Sequence, residues 1–322
     1  MEKEHPKNPE EKQSAISRFV GLSEAEEDSI FENARKIFQK QEKLPIEREK
    51  TEKELEIIRN VLAQLPEFLN QYGIDSLHFA PEHVHISDKS SLSEEQKNSF
   101  GISEESGGFY MEDRQGMVAF ASTDDLHFAE RIGHESLHGN SFISFTTSKD
   151  GKSTLRRVGL TILDENGRRY FHNLNEALTE ELAMRFDKEY SDKMLALSEA
   201  VKKRMEFVNL IKTKNPKANT TEIKSVVTEQ EADGKWKTIV REYVYQPERK
   251  ELALLINELY EKNQNKFSSQ EEVFRLFVKA AYSGRVLEIA RLIESSFGEG
   301  AFKKLAESTE LKDKTIAAEN AI

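Results

Sequence analysis

The chain has 322 residues, of which 33% are charged, and a formal net charge of −11 at pH 7. This acidic balance argues against nucleic acid or an anionic membrane surface as a partner, because both require a basic face. The sequence contains no cysteine, which excludes disulfides, thiol catalysis and thiolate metal ligands. Since it also lacks an apolar leader and any run of about 18 apolar residues, we expect a cytoplasmic protein without a membrane span.

The first 73 residues are predicted to form a tail followed by a helical segment. Residues 1–22 are polar and contain two prolines, a composition typical of a disordered tail. Over residues 23–73, apolar side chains recur every three or four positions in two stretches that are separated near Pro45. This spacing predicts two amphipathic helices, and Gly73 provides a stop signal for the second.

Residues 74–189 alternate between strand and helix signals and are predicted to form one domain. Period-two alternation around His83 and His85 predicts a strand with both histidines on one face. Exposed strand histidines are favoured there over a metal site. A hairpin is predicted between residues 109 and 120. Further strands, separated by turn signals, are predicted at residues 142–148, 155–163 and 168–172.

The last part of the chain is predicted to be mostly helical. Residues 190–310 carry several amphipathic helical stretches and one β-hairpin signal at residues 221–245. The aromatic side chains of this hairpin are expected to serve mainly in packing. Residues 311–322 are predicted to be a loose tail. The whole chain is therefore predicted to belong to the α+β class.

One short motif indicates a metal site. Residues 134–138 read His-Glu-Ser-Leu-His and lie in a predicted helix that begins near Asp124. Two histidines four positions apart share one helical face, so both imidazoles can reach a single metal ion. Glu135 could then act as general base on a water held by that ion. The alternative is that His134 and His138 are exposed residues of an ordinary amphipathic helix.

A second predicted helix offers the remaining ligand. Glu176 and Glu180 are four positions apart and therefore face the same way. One could complete a tetrahedral zinc site while the other hydrogen-bonds a ligand histidine. Three alternatives stay open: Glu176 could belong to a helix capping box, Glu180 or Glu181 could be the ligand, or His172 could be the ligand.

These two motifs resemble those of the gluzincin metallopeptidases, the thermolysin-like branch of the zincins. In that family a His-Glu-x-x-His helix is followed by a helix that reads Asn-Glu-x-x-x-acid, and residues 175–180 here read Asn-Glu-Ala-Leu-Thr-Glu. The resemblance covers roughly residues 105–188. It implies that one Zn²⁺ per chain is bound by His134, His138 and Glu176, and that Glu180 orients His134.

The resemblance also implies a fold and a mode of substrate binding. The expected zincin-like core is a small mixed or antiparallel sheet that packs against an active-site helix and a ligand helix. In zincins the strand before the active-site helix is often the sheet edge that pairs with an extended substrate. By order in the chain, residues 117–121 are expected to be that edge.

The chain departs from the thermolysin-like pattern after the second helix. Its last histidine is His172, so the later histidine that stabilises the oxyanion in those enzymes has no counterpart. The candidates that could stabilise an oxyanion instead are Tyr170, His172, Tyr243 and Tyr245. The sequence does not choose among these four.

The motifs favour a zinc-dependent metallopeptidase that acts on a peptide or protein substrate, with Glu135 as general base. A second reading is a catalytically silent zincin-like protein used for binding or regulation. A third is a helical interaction protein in which the motif arose by chance. The sequence does not indicate an oligomeric state.

Overall fold

The computed structural model of the protein describes residues 14–20, 24–100, 102–103, 106–147, 153–230 and 234–308. The helices are α1 (Glu24–Gln39), α2 (Glu52–Asn70), α3 (Glu94–Ser99), α4 (Asp125–Asn140), α5 (His172–Tyr190), α6 (Ser198–Lys214), α7 (Gln246–Lys262), α8 (Gln270–Ser283) and α9 (Val286–Phe297). The strands are β1 (Arg18–Val20), β2 (Val84–Ser87), β3 (Gly108–Met111), β4 (Gly116–Phe120), β5 (Ile143–Thr147), β6 (Ser153–Val158), β7 (Thr161–Leu163), β8 (Arg169–Tyr170), β9 (Ile223–Gln230) and β10 (Trp236–Glu242). This mixture confirms the α+β class.

A three-stranded sheet lies directly before the motif helix. Its order is β2-β4-β3, with β2 parallel and β3 antiparallel to β4. The predicted hairpin between residues 109 and 120 is confirmed, because β3 and β4 form it. The expectation that residues 117–121 are the sheet edge is wrong, since β4 is the central strand and is buried along its whole length. The edge beside the motif helix is β3.

The segment between α4 and α5 forms four strands of a five-stranded sheet, whose order is β1-β5-β6-β7-β8. The stretch 155–163, predicted as one strand, is divided between β6 and β7. Gly159 adopts a φ of +56° between them, and this conformation, which favours glycine, turns the chain. The turn predicted at residues 150–151 lies outside the described residues.

The amino-terminal tail was predicted to be disordered, and this is wrong for residues 14–20. Within them β1 pairs in parallel with β5, and Phe19 is buried against Phe145. Ala15 and Ile16 are buried as well. The polar composition of the first residues hid this short apolar stretch, which is stabilised by the neighbouring strand rather than by its own propensity.

One apolar core receives side chains from most of these elements. Ile58 and Leu65 of α2, Ile132 of α4 and Leu182 of α5 are all nearly inaccessible to solvent. On α4, Gly133 faces Phe186 of α5, and a Cβ at this glycine would lie at an ordinary contact distance of 3.4 Å from the ring. The two helices that carry the predicted ligands therefore pack directly against each other.

The carboxy-terminal part is helical with one hairpin, as predicted. α6 leads into the antiparallel pair β9–β10, and α7, α8 and α9 pack on the core. Residues 301–308 are helical, and the predicted loose tail at 311–322 lies outside the described residues. None of the helices in the described ranges is both long and apolar enough to cross a bilayer.

Candidate metal centre

α4 begins at a polar cap and is buried over most of its length. The Asp124 carboxylate accepts a hydrogen bond from the His127 backbone N–H at 3.1 Å, which satisfies one free donor of the first turn. From this start, His134 and His138 project from the same face, one turn apart. Their side chains are only 11% and 12% exposed, so the alternative of two exposed histidines is wrong.

The start of α5 is fixed by an asparagine. The Asn175 side-chain oxygen accepts a hydrogen bond from the Leu160 backbone N–H at 2.8 Å, and a Cβ at Gly159 would lie only 2.2 Å from that oxygen. α5 begins at His172, and Phe171 precedes it with a φ of +58° and no side-chain cap. Glu176 is therefore not the glutamate of a capping box, and that alternative is wrong.

Three ligand atoms converge between α4 and α5. Nε2 of His134 lies 3.1 Å from Nε2 of His138, and Oε2 of Glu176 lies 3.6 Å and 3.4 Å from these two nitrogens. A tetrahedral Zn²⁺ with bonds of about 2.0–2.1 Å separates its ligands by about 3.3–3.4 Å. The three side chains thus match, in both chemistry and spacing, three corners of a zinc site.

The neighbouring charges determine the protonation of these side chains. Burial disfavours a charged imidazole at His134, but its hydrogen bonds to Glu176 and Glu180 outweigh burial and raise its pKa. Burial likewise opposes the ionisation of Glu176, and the adjacent His138 and His134 outweigh it, so that its pKa is lowered. A metal ion would compete with protons for the two imidazoles, which makes metal affinity fall at acidic pH.

Glu180 hydrogen-bonds His134 on the side of the ring that faces away from the other ligand atoms. Its Oε2 accepts a hydrogen bond from Nδ1 of His134 at 3.0 Å, which leaves Nε2 directed toward His138 and Glu176. The other oxygen, Oε1, accepts from the Val244 backbone N–H at 2.9 Å. A carboxylate held at both oxygens fixes the tautomer and the orientation of the imidazole. The described residues offer a second possible metal group, Glu130 with His134 and Glu180, but Glu130 is already paired with Lys224.

Glu135 lies beside the ligand atoms and under strand β3. Its Cγ and Oε1 are each 3.4 Å from the point where a Cβ would stand on Gly108. Burial raises the pKa of this carboxyl, although the neighbouring His134 and His138 act in the opposite direction. A carboxylate with a raised pKa is a stronger base, and a group that must both accept and return a proton works best when its pKa lies near the operating pH.

The hairpin β9–β10 is attached to α4 by buried polar contacts. Nζ of Lys224 lies 2.8 Å from Oε2 of Glu130, and both side chains are at most 3% exposed. At the start of the helix, Asp124 accepts hydrogen bonds from Ser225 and from Nε of Arg241. Removal of one partner from a buried ion pair costs about 3–5 kcal/mol, so these contacts hold α4 in place.

The structure separates the four candidates for oxyanion stabilisation. Tyr245 and His172 line the groove beside the ligand atoms, and the Tyr245 ring is nearly parallel to that of His134 at 6.4 Å between centroids. Nδ1 of His172 lies 3.8 Å from Oε1 of Glu176. Tyr170 packs on the core, and the Tyr243 hydroxyl donates a hydrogen bond to Asp187. Tyr170 and Tyr243 are thus directed elsewhere.

The candidate site lies where two open clefts meet. A first cleft of about 700 Å³ extends past His138 and His172 to Arg169, and a second of about 940 Å³ extends past Glu130 to the hairpin. Five residues line both clefts: Ser106, Gly108, His134, Glu135 and Tyr245. The two clefts therefore join at the candidate ligand atoms and form one groove.

Several site residues were not identified from the sequence. The supporting contact of Val244 uses a backbone N–H, which leaves no trace in residue identity. Lys224 could have been noticed, because a lysine within the apolar run Ile223–Val227 indicates a buried charge that needs a partner. Neither its partner nor its place beside α4 follows from one sequence.

Comparisons of the chain with protein-family models, with curated proteins and with solved structures gave no match.

Proposed function

We propose that the protein is a zinc-dependent peptidase of the gluzincin type, built on a zincin-like core. The observation that carries the proposal is the convergence of three ligand atoms, from His134, His138 and Glu176, at mutual distances of 3.1–3.6 Å. Glu135 beside them and Glu180 behind them occupy the places that the family motif assigns to a base and an orienting acid.

The residues of the site have the chemistry that zinc requires. His134 and His138 offer neutral imidazole nitrogens and Glu176 offers a carboxylate, which is the His₂Glu set of catalytic zinc sites. Zn²⁺, when bound, would act as a Lewis acid and lower the pKa of a water from about 15.7 to about 7. His134, His138 and Glu176 would hold the ion, and the open groove beside them would admit water and substrate.

Glu135 is the proton carrier in this proposal. Its carboxylate takes a proton from the attacking water and then delivers it to the leaving amine, and its raised pKa makes it a stronger base for the first of these transfers. Tyr245 is the donor that we assign to the carbonyl oxygen. Burial and the nearby carboxylates raise its pKa, so the hydroxyl stays protonated and can stabilise developing negative charge.

A peptide in extended conformation is the substrate that the groove fits best. Strand β3 is the edge of its sheet and borders both clefts through Gly108. A substrate strand can add to such an edge through backbone hydrogen bonds, which hold the scissile bond without demanding a particular sequence. The expected partner is therefore a peptide or an unfolded protein segment.

The test compares wild type with Glu135→Gln on unfolded casein, with zinc content measured on the same samples. Loss of the base should lower cleavage by about 10²–10⁴-fold while about one zinc per chain is retained. A chelator should abolish wild-type cleavage, and added zinc should restore it.

Other outcomes point to the other two readings. Zinc binding without cleavage of casein or of peptide libraries would indicate a silent scaffold. Absence of zinc from wild type would indicate a chance motif, and equal cleavage by Glu135→Gln would show that the base is misassigned.

A further inference from the structure

Arg131 is a cation in the second cleft that has no direct partner among the residues that the structure describes. It lies one turn before Glu135 on the same face of α4, so their side chains are neighbours. Its guanidinium lies over Gly107, where a Cβ would meet Nε at 2.5 Å. Within the described ranges, no hydrogen bond or ion pair involves this half-buried side chain.

A second guanidinium lies near the first. Arg241 of β10 uses Nε to bond Asp124 at 3.2 Å, and its outer end faces the same cleft as Arg131. His127 is buried between them and Lys224, with an Nδ1 that has no hydrogen-bond partner. Burial and these three cations lower the pKa of His127 to about 2. Like charges gathered at one point attract an anion.

Most of the carboxylates around this cluster are already bonded to other groups. Glu130 is bound by Lys224, and Glu180 is bound by His134 and by the Val244 backbone N–H. The remaining neighbour of Arg131 is Glu135, which is assigned to proton transfer. A charge held in a cleft without a fixed counterion is more typical of a ligand contact than of structural support, since supporting arginines are bonded to the groups they support.

We propose that Arg131, assisted by the outer end of Arg241, binds a carboxylate of the peptide substrate. This proposal rests on the peptidase function and adds a substrate class to it. One helical turn spans about 5.4 Å, and an extended peptide advances about 3.3 Å per residue. The carboxylate therefore belongs to a residue one or two positions from the scissile bond, either as an acidic side chain or as the chain end.

The test measures binding separately from cleavage. The probe is a set of fluorescein-labelled octapeptide pools in matched pairs, with Glu or Gln at one fixed position, and with a free or an amidated carboxyl end. Zinc-loaded Glu135→Gln protein binds these pools without turnover, and fluorescence anisotropy gives the affinity ratio of each pair. The same ratio is measured for double variants that carry Arg131→Gln, Arg131→Lys or Arg241→Gln together with Glu135→Gln.

We expect the anionic pool to bind about 10–100-fold more tightly than its neutral partner, as for a hydrogen bond to a charged group. Arg131→Gln should reduce this ratio to about one, and Arg241→Gln should reduce it less. Arg169→Gln is the matched control, because Arg169 lines the first cleft on the far side of the ligand atoms, and it should keep the ratio. Because Arg131 has no partner among the described residues, its replacement should not unfold the protein.

The outcomes distinguish the subsite from the peptidase function. Tighter binding only of pools with a free carboxyl end would identify a subsite for the chain end. Tighter binding of pools with an internal Glu would identify a subsite for an acidic side chain. Equal binding of the paired pools, no binding of either, or a ratio that survives Arg131→Gln would overturn the subsite. If wild type cleaves neutral and anionic pools at the same rate, the peptidase function is supported and the anion subsite is not. If the protein binds anionic pools selectively but cleaves none, the subsite is supported and the peptidase function is not.

Discussion

The protein contains two histidine pairs that differ in one decisive respect. In each pair a carboxylate bonds one Nδ1: Glu180 lies 3.0 Å from His134, and Glu47 lies 2.7 Å from His85. A carboxylate on Nδ1 is a familiar companion of metal-bound histidine. Its presence at both pairs shows that this contact alone does not define a metal site.

The difference lies at Nε2. That atom of His134 faces a second imidazole and a carboxylate, whereas Nε2 of His85 lies 3.4 Å from the Gln41 side-chain oxygen. His83 is turned away, with Nε2 2.9 Å from the Phe38 carbonyl oxygen. The expectation that His83 and His85 share one face of a strand is wrong, because strand β2 begins only at Val84. The expectation that they are exposed is wrong as well, since both side chains are buried. Two histidines at a given sequence spacing therefore share a face only when the backbone has the matching helix or strand conformation.

The largest expected contrast between the two pairs is in zinc content. His134→Ala removes one of three converging ligands, and we expect bound zinc to fall from about one per chain to nearly none. His85→Ala should keep the full amount, because its Nε2 faces an amide. Elemental analysis of both variants, purified without chelators, measures this. Zinc lost equally from the two would mean that the second pair also binds metal.

A smaller effect is expected from the carboxylate behind the convergent pair. Glu180→Gln keeps a hydrogen-bond acceptor but removes the charge, and zinc affinity should fall by about 10–100-fold. The matched control is Glu181→Gln on the same helix, where the carboxylate bonds Arg185 and Arg249 instead. Zinc affinities from competition with a fluorescent chelator give the comparison. If both variants lose affinity alike, Glu180 acts through helix stability rather than through His134.

The smallest effect concerns acid sensitivity at the second pair. Burial lowers the pKa of His83, so the folded state favours neutral imidazole, while the unfolded state takes up a proton below about pH 6.5. The stability that His83 contributes is therefore complete above that pH and lost as pH falls below it, by at most about 1.4 kcal/mol per pH unit.

Urea unfolding at pH 7.5 and 5.5 measures this contribution. His83→Phe should narrow the difference between the two unfolding free energies, although the loss of the bond to Phe38 lowers both. His78→Gln, at an exposed histidine, is the control. An unchanged pH dependence in His83→Phe would show that His83 is not the group responsible.

Local patterns predicted much of this molecule, and contacts between distant segments account for what they missed. Helical spacing placed α2, α4 and α5, and turn signals placed both hairpins, since these features depend on neighbours within a few residues. The convergence of His134, His138 and Glu176 followed from the motifs and is found in the structure. That the ion is zinc, and that the site cleaves peptides, stay predictions.

The errors share a physical cause. The order of β2, β4 and β3 and the pairing of β1 with β5 depend on partners far away in sequence, which one sequence does not encode locally. The same is true of Lys224 and of the Val244 backbone N–H. Sequence patterns predict which side chains share a face of one helix or strand, but they do not predict which distant residues contact that face.

The attachment of the hairpin to α4 bears on how the protein is made. All three proposed ligands have left the ribosome once residue 176 is exposed, whereas Lys224 and Val244 follow about 50 to 70 residues later. Until then, Glu130 has no lysine to pair with and Glu180 lacks its second donor. A nascent chain could therefore hold metal before its site is rigid, and a fragment that ends before the hairpin would contain the motif without the support that fixes its geometry.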